Sequence, residues 1–275
     1  MHANNGIFYK IPLKDIEFEK IKSLIYDKSG IFLKAEKKTL IENRLSKHIK
    51  TIGCKTFNEY HNYISSNIDE IQIMIDLITT NETYFFREIE HFKFFEKEII
   101  PKQKSHLRVW SAASSIGAEA YSLAMILESS NEIKKYGYSV VGTDINTEVL
   151  KRAENGLYPM KFSEKIPRQY LREYCLEGFG KYEGSFMIND TLKSKTLFRQ
   201  VNLIEPIPSF IEPFDIVFLR NVLIYFDMPM KQKIIKNIIP KIKKGGYLFI
   251  GHSESLNNIS NALKQVRPTV YIKEF

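Results

Sequence analysis

The chain has 275 residues, 44% hydrophobic and 26% charged, a globular balance that excludes a disordered chain. Its formal net charge of +8 is spread along the sequence without a basic tail, so charge alone admits either a nucleic acid or an acidic protein surface as a partner. No run approaches the roughly 18 apolar residues of a membrane span, the first six residues do not read as a secretory signal, and Cys54 and Cys175 lack metal-ligand spacing; these features predict a cytoplasmic protein with two reduced thiols and no membrane insertion.

Residues 1–78 read as an all-α N-terminal domain. Phe18, Ile21, Leu24 and Ile25 follow helical spacing, and Ile41, Leu45 and Ile49 form the stripe of a second helix over about 36–50. Two further helices are expected near 57–66 and 68–78. Between Lys34 and Lys55 stand seven Lys/Arg and two Glu. Lys37, Arg44 and His48 share a face there, either simply solvated or a docking surface for an acidic partner. Thr79 and Glu82 have the spacing of a capping box, which predicts a linker helix over 79–100, regular from about 83 to 98 and closed by Pro101.

From residue 101 onward the pattern turns to strand–helix alternation. Strands are expected at Leu107–Ser111, Tyr138–Thr143, Phe214–Leu219, Tyr247–Gly251 and Thr269–Lys273. Helices are expected at Ala118–Ser129, Glu148–Asn155 and Pro229–Ile242. This is the signature of an α/β, doubly wound, Rossmann-like sheet with ligands at the carboxyl ends of its strands. Between 165 and 202 the alternation breaks. Gly178, Gly180 and Gly184 punctuate two short strand-like runs, Ser185–Ile188 and Leu197–Val201, read as a small antiparallel β insertion.

Four segments carry chemistry. Val109-Trp-Ser-Ala-Ala-Ser-Ser-Ile-Gly-Ala-Glu119 is a strand, a small-residue loop and a helix start, suited to close approach of a ligand but lacking the phosphate-loop and G-x-G-x-x-G patterns. Asp144 ends the second strand, where a carboxylate can accept ribose hydroxyls or cap the next helix. Phe214-Asp-Ile-Val-Phe-Leu-Arg220-Asn221-Val-Leu-Ile-Tyr225 delivers polar side chains to the end of an apolar strand. Asn81-Glu-Thr83-Tyr-Phe-Phe-Arg87-Glu sets an arginine among aromatics.

In this order, and together with Gly245-Gly-Tyr-Leu-Phe-Ile-Gly-His-Ser-Glu-Ser-Leu, these segments resemble the chemotaxis receptor methyltransferase (CheR-type) family over about residues 70–275. The resemblance implies an enzyme that moves a methyl group from S-adenosylmethionine to receptor glutamates, giving methyl esters and S-adenosylhomocysteine. It further implies that Asn81, Thr83, Arg87, Glu119 and Asp144 bind the cofactor, that Asn202 and Leu203 flank its adenine, and that Arg220 and Asn221 close the site. Arg87 and Tyr225 would be the catalytic pair, and no metal is implied. The implied partners are the cytoplasmic helices of methyl-accepting chemoreceptors, with no nucleic acid. The Gly178-Phe-Gly-Lys-Tyr-Glu-Gly184 spacing is similar to that of members that bind a receptor C-terminal peptide by strand addition. The loop departs from the family at Ala118 and Ala120, where a Glu and a Pro are usual, but retains Glu119. A nucleic-acid methyltransferase and a non-catalytic cofactor-binding regulator are the alternative readings. The absence of an N-P-P-Y type tetrapeptide speaks against the first.

Overall fold

The computed structural model describes residues 10–209 and 211–274; the start of the chain, on which the secretory-signal reading rests, lies outside them. The described chain divides into two compact units between Thr80 and Asn81. None of the helices among the described residues is long and apolar enough to cross a membrane.

The first unit packs α1 (Asp15–Ser29), α2 (Lys38–Thr51), α3 (Phe57–Ser66) and α4 (Ile68–Ile78). The apolar stripes meet in a core of Ile21, Ile25, Ile41, Leu45, Ile49, Phe57 and Tyr60. Gly30 ends α1 in the left-handed region, and the Thr56 hydroxyl caps α3 by accepting from the Glu59 amide. Of the three residues on the basic face, two have work inside this unit. Arg44 donates to the carbonyls of Ile78 and Thr79 and to the Thr80 hydroxyl, satisfying the open end of α4. His48 pairs with the buried Glu70, which also accepts from Tyr60 at 2.9 Å.

The expected linker helix forms only in its second half. Thr79 is the C-cap of α4 rather than the start of a capping box. Residues 79–88 are irregular because Phe86 (φ 54°) and Glu88 (φ 58°) take left-handed conformations that no helix admits. Helix α5 spans only Ile89–Phe94 and continues as a π turn at Phe95–Ile99 and a 3₁₀ turn at Ile100–Lys102.

In the second unit the strands are β1 (Leu107–Ala112), β2 (Tyr138–Asp144), β3 (Leu157–Pro159), β4 (Cys175–Glu177), β5 (Ser185–Ile188), β6 (Thr196–Gln200), β7 (Phe214–Leu219), β8 (Ile242–Ile250), β9 (Lys264–Arg267) and β10 (Val270–Ile272). The helices are α6 (Ala118–Ser129), α7 (Asn131–Tyr136), α8 (Thr147–Asn155), α9 (Arg168–Tyr174), α10 (Asp190–Ser194) and α11 (Met228–Ile238). Among the described residues the strands form a seven-stranded sheet, ordered β6-β2-β1-β7-β8-β10-β9, and a three-stranded antiparallel sheet, β3-β5-β4. The pairs β6/β2, β2/β1, β1/β7 and β7/β8 are parallel, while β10 runs antiparallel to both β8 and β9. The chain leaves β1 toward β6, then returns to β1's other side as β7. The switch point therefore lies between the carboxyl ends of β1 and β7, where open α/β sheets hold their ligands.

One strand of the expected insertion belongs elsewhere. The run at Leu197–Val201 is β6, an edge strand parallel to β2 from Val140↔Thr196 to Asp144↔Gln200. The small sheet takes its third strand from Leu157–Pro159 instead. Both are short alternating segments in the sequence; only their partners distinguish them.

Arg44→Ala should remove the donors that close α4 and cost about 1–3 kcal/mol. The expected readout is a lower unfolding temperature with faster hydrogen exchange in α2 and α4; unchanged exchange there would show that the carbonyls find other partners.

Candidate functional site

The loop after β1 brings backbone close to the switch point. Ala113 (φ 59°), Ser115 (φ 51°) and Gly117 (φ 84°) all take left-handed conformations. Crowding enforces the small residues. A Cβ on Gly142 would fall 2.5 Å from the Phe198 ring and 2.9 Å from Ser114 Oγ. The Ser115 amide donates to Asp144 Oδ2 at 2.8 Å, and the Asn146 amide donates to its Oδ1 at 2.9 Å. Ser115 Oγ donates to the carbonyl of Asn81 at 3.0 Å. The Val201 amide donates to the carbonyl of Asp144 at 3.0 Å, so Asn202 and the buried Leu203 follow directly beside the end of β2.

The second half of the site is built on Arg220, whose side chain is 1% exposed. Its guanidinium donates to Glu119 Oε2 at 3.0 Å, to Glu88 Oε2 at 2.9 Å and to the carbonyl of Arg87. It also lies 5.4 Å over the Phe92 ring. Glu119 accepts in addition from Ser111 Oγ at 2.7 Å. Asn221, left-handed at φ 57°, donates its side-chain amide to Glu88 Oε1 at 2.9 Å and its backbone amide to Glu254 Oε2 at 3.0 Å. Glu254 Oε2 accepts the Gly251 amide as well, at 2.6 Å. Thus the residues after β7 are held by carboxylates from three other segments.

These environments separate the carboxyls. Burial alone would raise Glu88, but hydrogen bonds from Asn221 and Arg220, the Arg220 charge and the His252 amide outweigh it and bring it down to about 2. Burial pushes Glu119 up, opposed by Arg220 and Ser111. Burial also pushes Glu254 up, opposed by backbone amides led by that of Gly251. His91, behind Glu88, is brought down to about 3 by burial and then by the Arg220 charge, and so is neutral.

The residues singled out from sequence fall into two bonded groups. Glu119, Arg220, Asn221 and the Arg87 backbone form one. Asp144 and Asn81, joined through Ser115, form the other, with Asn202 and Leu203 alongside. Arg87's own guanidinium donates to the Glu82 carbonyl at 3.1 Å and lies 5.8 Å from the Tyr84 ring. Tyr225 closes a 3₁₀ turn, Leu223–Tyr225, after β7, while Asp144 ends β2. Both leave the carboxyl ends of parallel strands in the same seven-stranded sheet, with β1 between them. Thr83 is half-buried in the irregular segment before Arg87. Ala118 and Ala120 are fully buried in the core, whereas Glu119 between them faces Arg220. A surface groove lined by Leu256, Asn258, Leu263 and Tyr271 includes none of these residues.

Sequence reasoning passed over Glu88 and Glu254. Each stood inside a quoted motif, after Arg87 and within Gly-His-Ser-Glu, but nothing in the spacing tells that both turn toward Asn221.

Residues 81–272 match the family described as CheR methyltransferase, SAM binding domain, and residues 16–79 match its all-alpha domain. A chemotaxis protein methyltransferase of Borreliella burgdorferi is 35% identical over 286 aligned residues, spanning 99% of this chain and 100% of that protein. That of Salmonella typhimurium is 35% identical over 264 residues, 95% of this chain and 91% of its own. The Escherichia coli protein is likewise 35% identical over 264 residues, with 95% and 92% covered.

Gly251 is a tight point of the group around Arg220 and Asn221. A Cβ there would stand 2.6 Å from Asn221 Nδ2 and 2.8 Å from Glu254 Oε2. Gly251→Ala should push Asn221 off Glu254 and speed exchange of the Asn221 amide at least tenfold, about 1.4 kcal/mol of local opening. Undiminished protection would mean that the loop absorbs a methyl group.

Proposed function

We propose that this chain, which belongs to the CheR methyltransferase family, transfers the methyl group of S-adenosylmethionine to glutamate side chains on the cytoplasmic helices of chemoreceptors. The observation that carries the reading is the pair of polar clusters at the switch point, Asp144–Ser115–Asn81 and Glu119–Arg220–Glu88–Asn221, within a segment that matches a SAM binding domain. Family membership makes S-adenosylmethionine the cofactor; when bound, it supplies a methyl group activated by a sulfonium.

The residues present fit that group. The loop between β1 and α6 is left-handed at Ala113, Ser115 and Gly117 and carries only small side chains along 111–115, and Ser114 Oγ and Arg220 Nε are buried polar atoms with no protein partner. Carboxylates outnumber guanidinium groups in the bonded clusters, which suits a ligand bearing ammonium and sulfonium charges. On this reading Asp144 accepts the ribose hydroxyls, Asn202 and Leu203 flank the adenine, and Glu119, Arg220 and Asn221 hold the amino-acid end. Asn81, Thr83 and Arg87 line the wall from the preceding segment.

A receptor glutamate, with a reference pKa of about 4.3, is already ionised at neutral pH and needs no general base. The protein's task is positioning and exclusion of water. Arg87 holds the substrate carboxylate in its guanidinium fork, and Tyr225 orients it toward the methyl group. The curated relatives are named chemotaxis protein methyltransferases, which supports a receptor as substrate. The small sheet supports a second contact. Strand β4 lies at its edge, with Leu176 53% and nearby Phe179 86% exposed, and a receptor C-terminal peptide would add there as a strand. A cytoplasmic location accords with this role and with two unpaired cysteines.

Labelled methyl should pass from S-adenosylmethionine to receptor cytoplasmic fragments and be released by base as methanol, the mark of an ester; label on nucleic acid instead would refute the reading. Asp144→Ala should weaken S-adenosylhomocysteine binding at least tenfold by isothermal titration. Tyr225→Phe should lower kcat at least tenfold with that affinity within threefold of wild type, and Arg87→Ala should lower both. Turnover at wild-type level in both Tyr225→Phe and Arg87→Ala would exclude the catalytic assignment.

A further inference from the structure

We infer that Glu88, His91 and His252 form a binding site for a borderline divalent cation such as Zn2+, and that its occupancy draws Glu88 away from Arg220 and weakens cofactor binding. The second clause rests on the function proposed above; the site itself does not. Glu88 caps α5, His91 follows three residues later on the same helix, and His252 stands in the loop after β8. Glu88 Oε2 lies 3.6 Å from His91 Nδ1 and 3.9 Å from His252 Nε2, and the three ligand atoms lie within 4.8 Å of one another. In the plane of three atoms so spaced, the equidistant point lies at most about 2.4 Å from each. Zinc takes nitrogen and carboxylate oxygen at about 2.0–2.2 Å. The shortfall is a few tenths of an ångström, and the half-exposed His252 side chain can supply it.

The buried histidine is prepared as a ligand. Thr269 Oγ1 lies 2.8 Å from His91 Nε2 and spends its own proton on the Pro268 carbonyl at 2.7 Å. With the hydroxyl proton so directed, Nε2–H donates to Thr269 Oγ1 and Nδ1 presents its lone pair to the cluster. Thr269 is held at φ 61°, a strained value for a β-branched residue. His91 is only 4% exposed, yet Nδ1 has no hydrogen-bond partner. A buried acceptor facing a carboxylate oxygen at 3.6 Å lacks a shared proton or cation, and a metal ion would supply one. The His252 amide, donating to Glu88 Oε2 at 3.2 Å, orients the carboxylate as partners of metal ligands do. A cation bound to the same oxygen repels the Arg220 guanidinium, so the two compete.

The test is titration of the full chain with ZnCl2 at pH 7.5, followed by calorimetry and, with Co2+ in its place, by visible absorption. His252→Ala keeps the backbone amide that Glu88 accepts and removes one ligand from a half-exposed position. Wild type should bind one Zn2+ with micromolar affinity that falls at least tenfold in His252→Ala, and saturating Zn2+ should weaken S-adenosylhomocysteine binding at least fivefold in wild type alone. Equal Zn2+ affinity in both proteins, or none tighter than 100 micromolar in wild type, overturns the site. Tight, His252-dependent Zn2+ binding with unchanged S-adenosylhomocysteine affinity overturns the competition. A wild type that binds Zn2+ but no S-adenosylhomocysteine counts against the proposed function and leaves the site established.

Discussion

A guanidinium sealed from solvent demands counter-charges, and the second unit is organised around meeting that demand. Arg220 leaves the end of β7 at 1% exposure between Glu119, carried by α6, and Glu88, carried by the segment before α5. Removing one partner of such a buried pair typically costs about 3–5 kcal/mol, because the other charge stays desolvated. The requirement fixes more than two side chains. Glu88 reaches Arg220 and Asn221 from a backbone that is left-handed at Phe86 and Glu88, so the aromatic-rich segment from Thr80 to Glu88 cannot be helix. Asn221 in turn is left-handed, and Glu254 accepts its amide.

The other half of the site depends on smallness. Phe198 from β6 fills the space above Gly142 and Gly117; a Cβ at either position would come within 2.9 Å of its ring. The first loop can therefore fold down onto Asp144, with the Ser115 amide donating to its carboxylate. The departures at Ala118 and Ala120 belong to this packing rather than to the polar cluster: both side chains are fully buried, and Glu119 between them keeps its carboxylate on Arg220.

The two units use charge differently. In the helical unit, Arg44 and His48 are consumed internally, at the end of α4 and on the buried Glu70. A basic face read from helical periodicity is thus partly a set of structural braces. Periodicity tells which residues share a face; it does not tell which carbonyls or carboxylates lie across from them.

Read alone, the sequence determined the α/β class, the helical N-terminal unit and most element positions, because periods of 3.6 and 2 are local properties of the chain. The helices at 57–66, 68–78 and 118–129 and the strand at 214–219 follow from those periods with the bounds found in the structure. Motif resemblance further picked out residues that the structure brings together at one sheet edge, Glu119, Asp144, Arg220 and Asn221 among them. Tertiary structure alone decided the partners. The run at 197–201 pairs with β2 and not with the small sheet, since two short alternating strands look alike until a neighbour is chosen. The first half of the linker helix gave way to an irregular segment from which Glu88 reaches a guanidinium 132 residues away. Long-range electrostatics and desolvation leave no periodic trace in a sequence, and that is why the carboxylates behind Arg220 and Asn221 could be seen only in the fold.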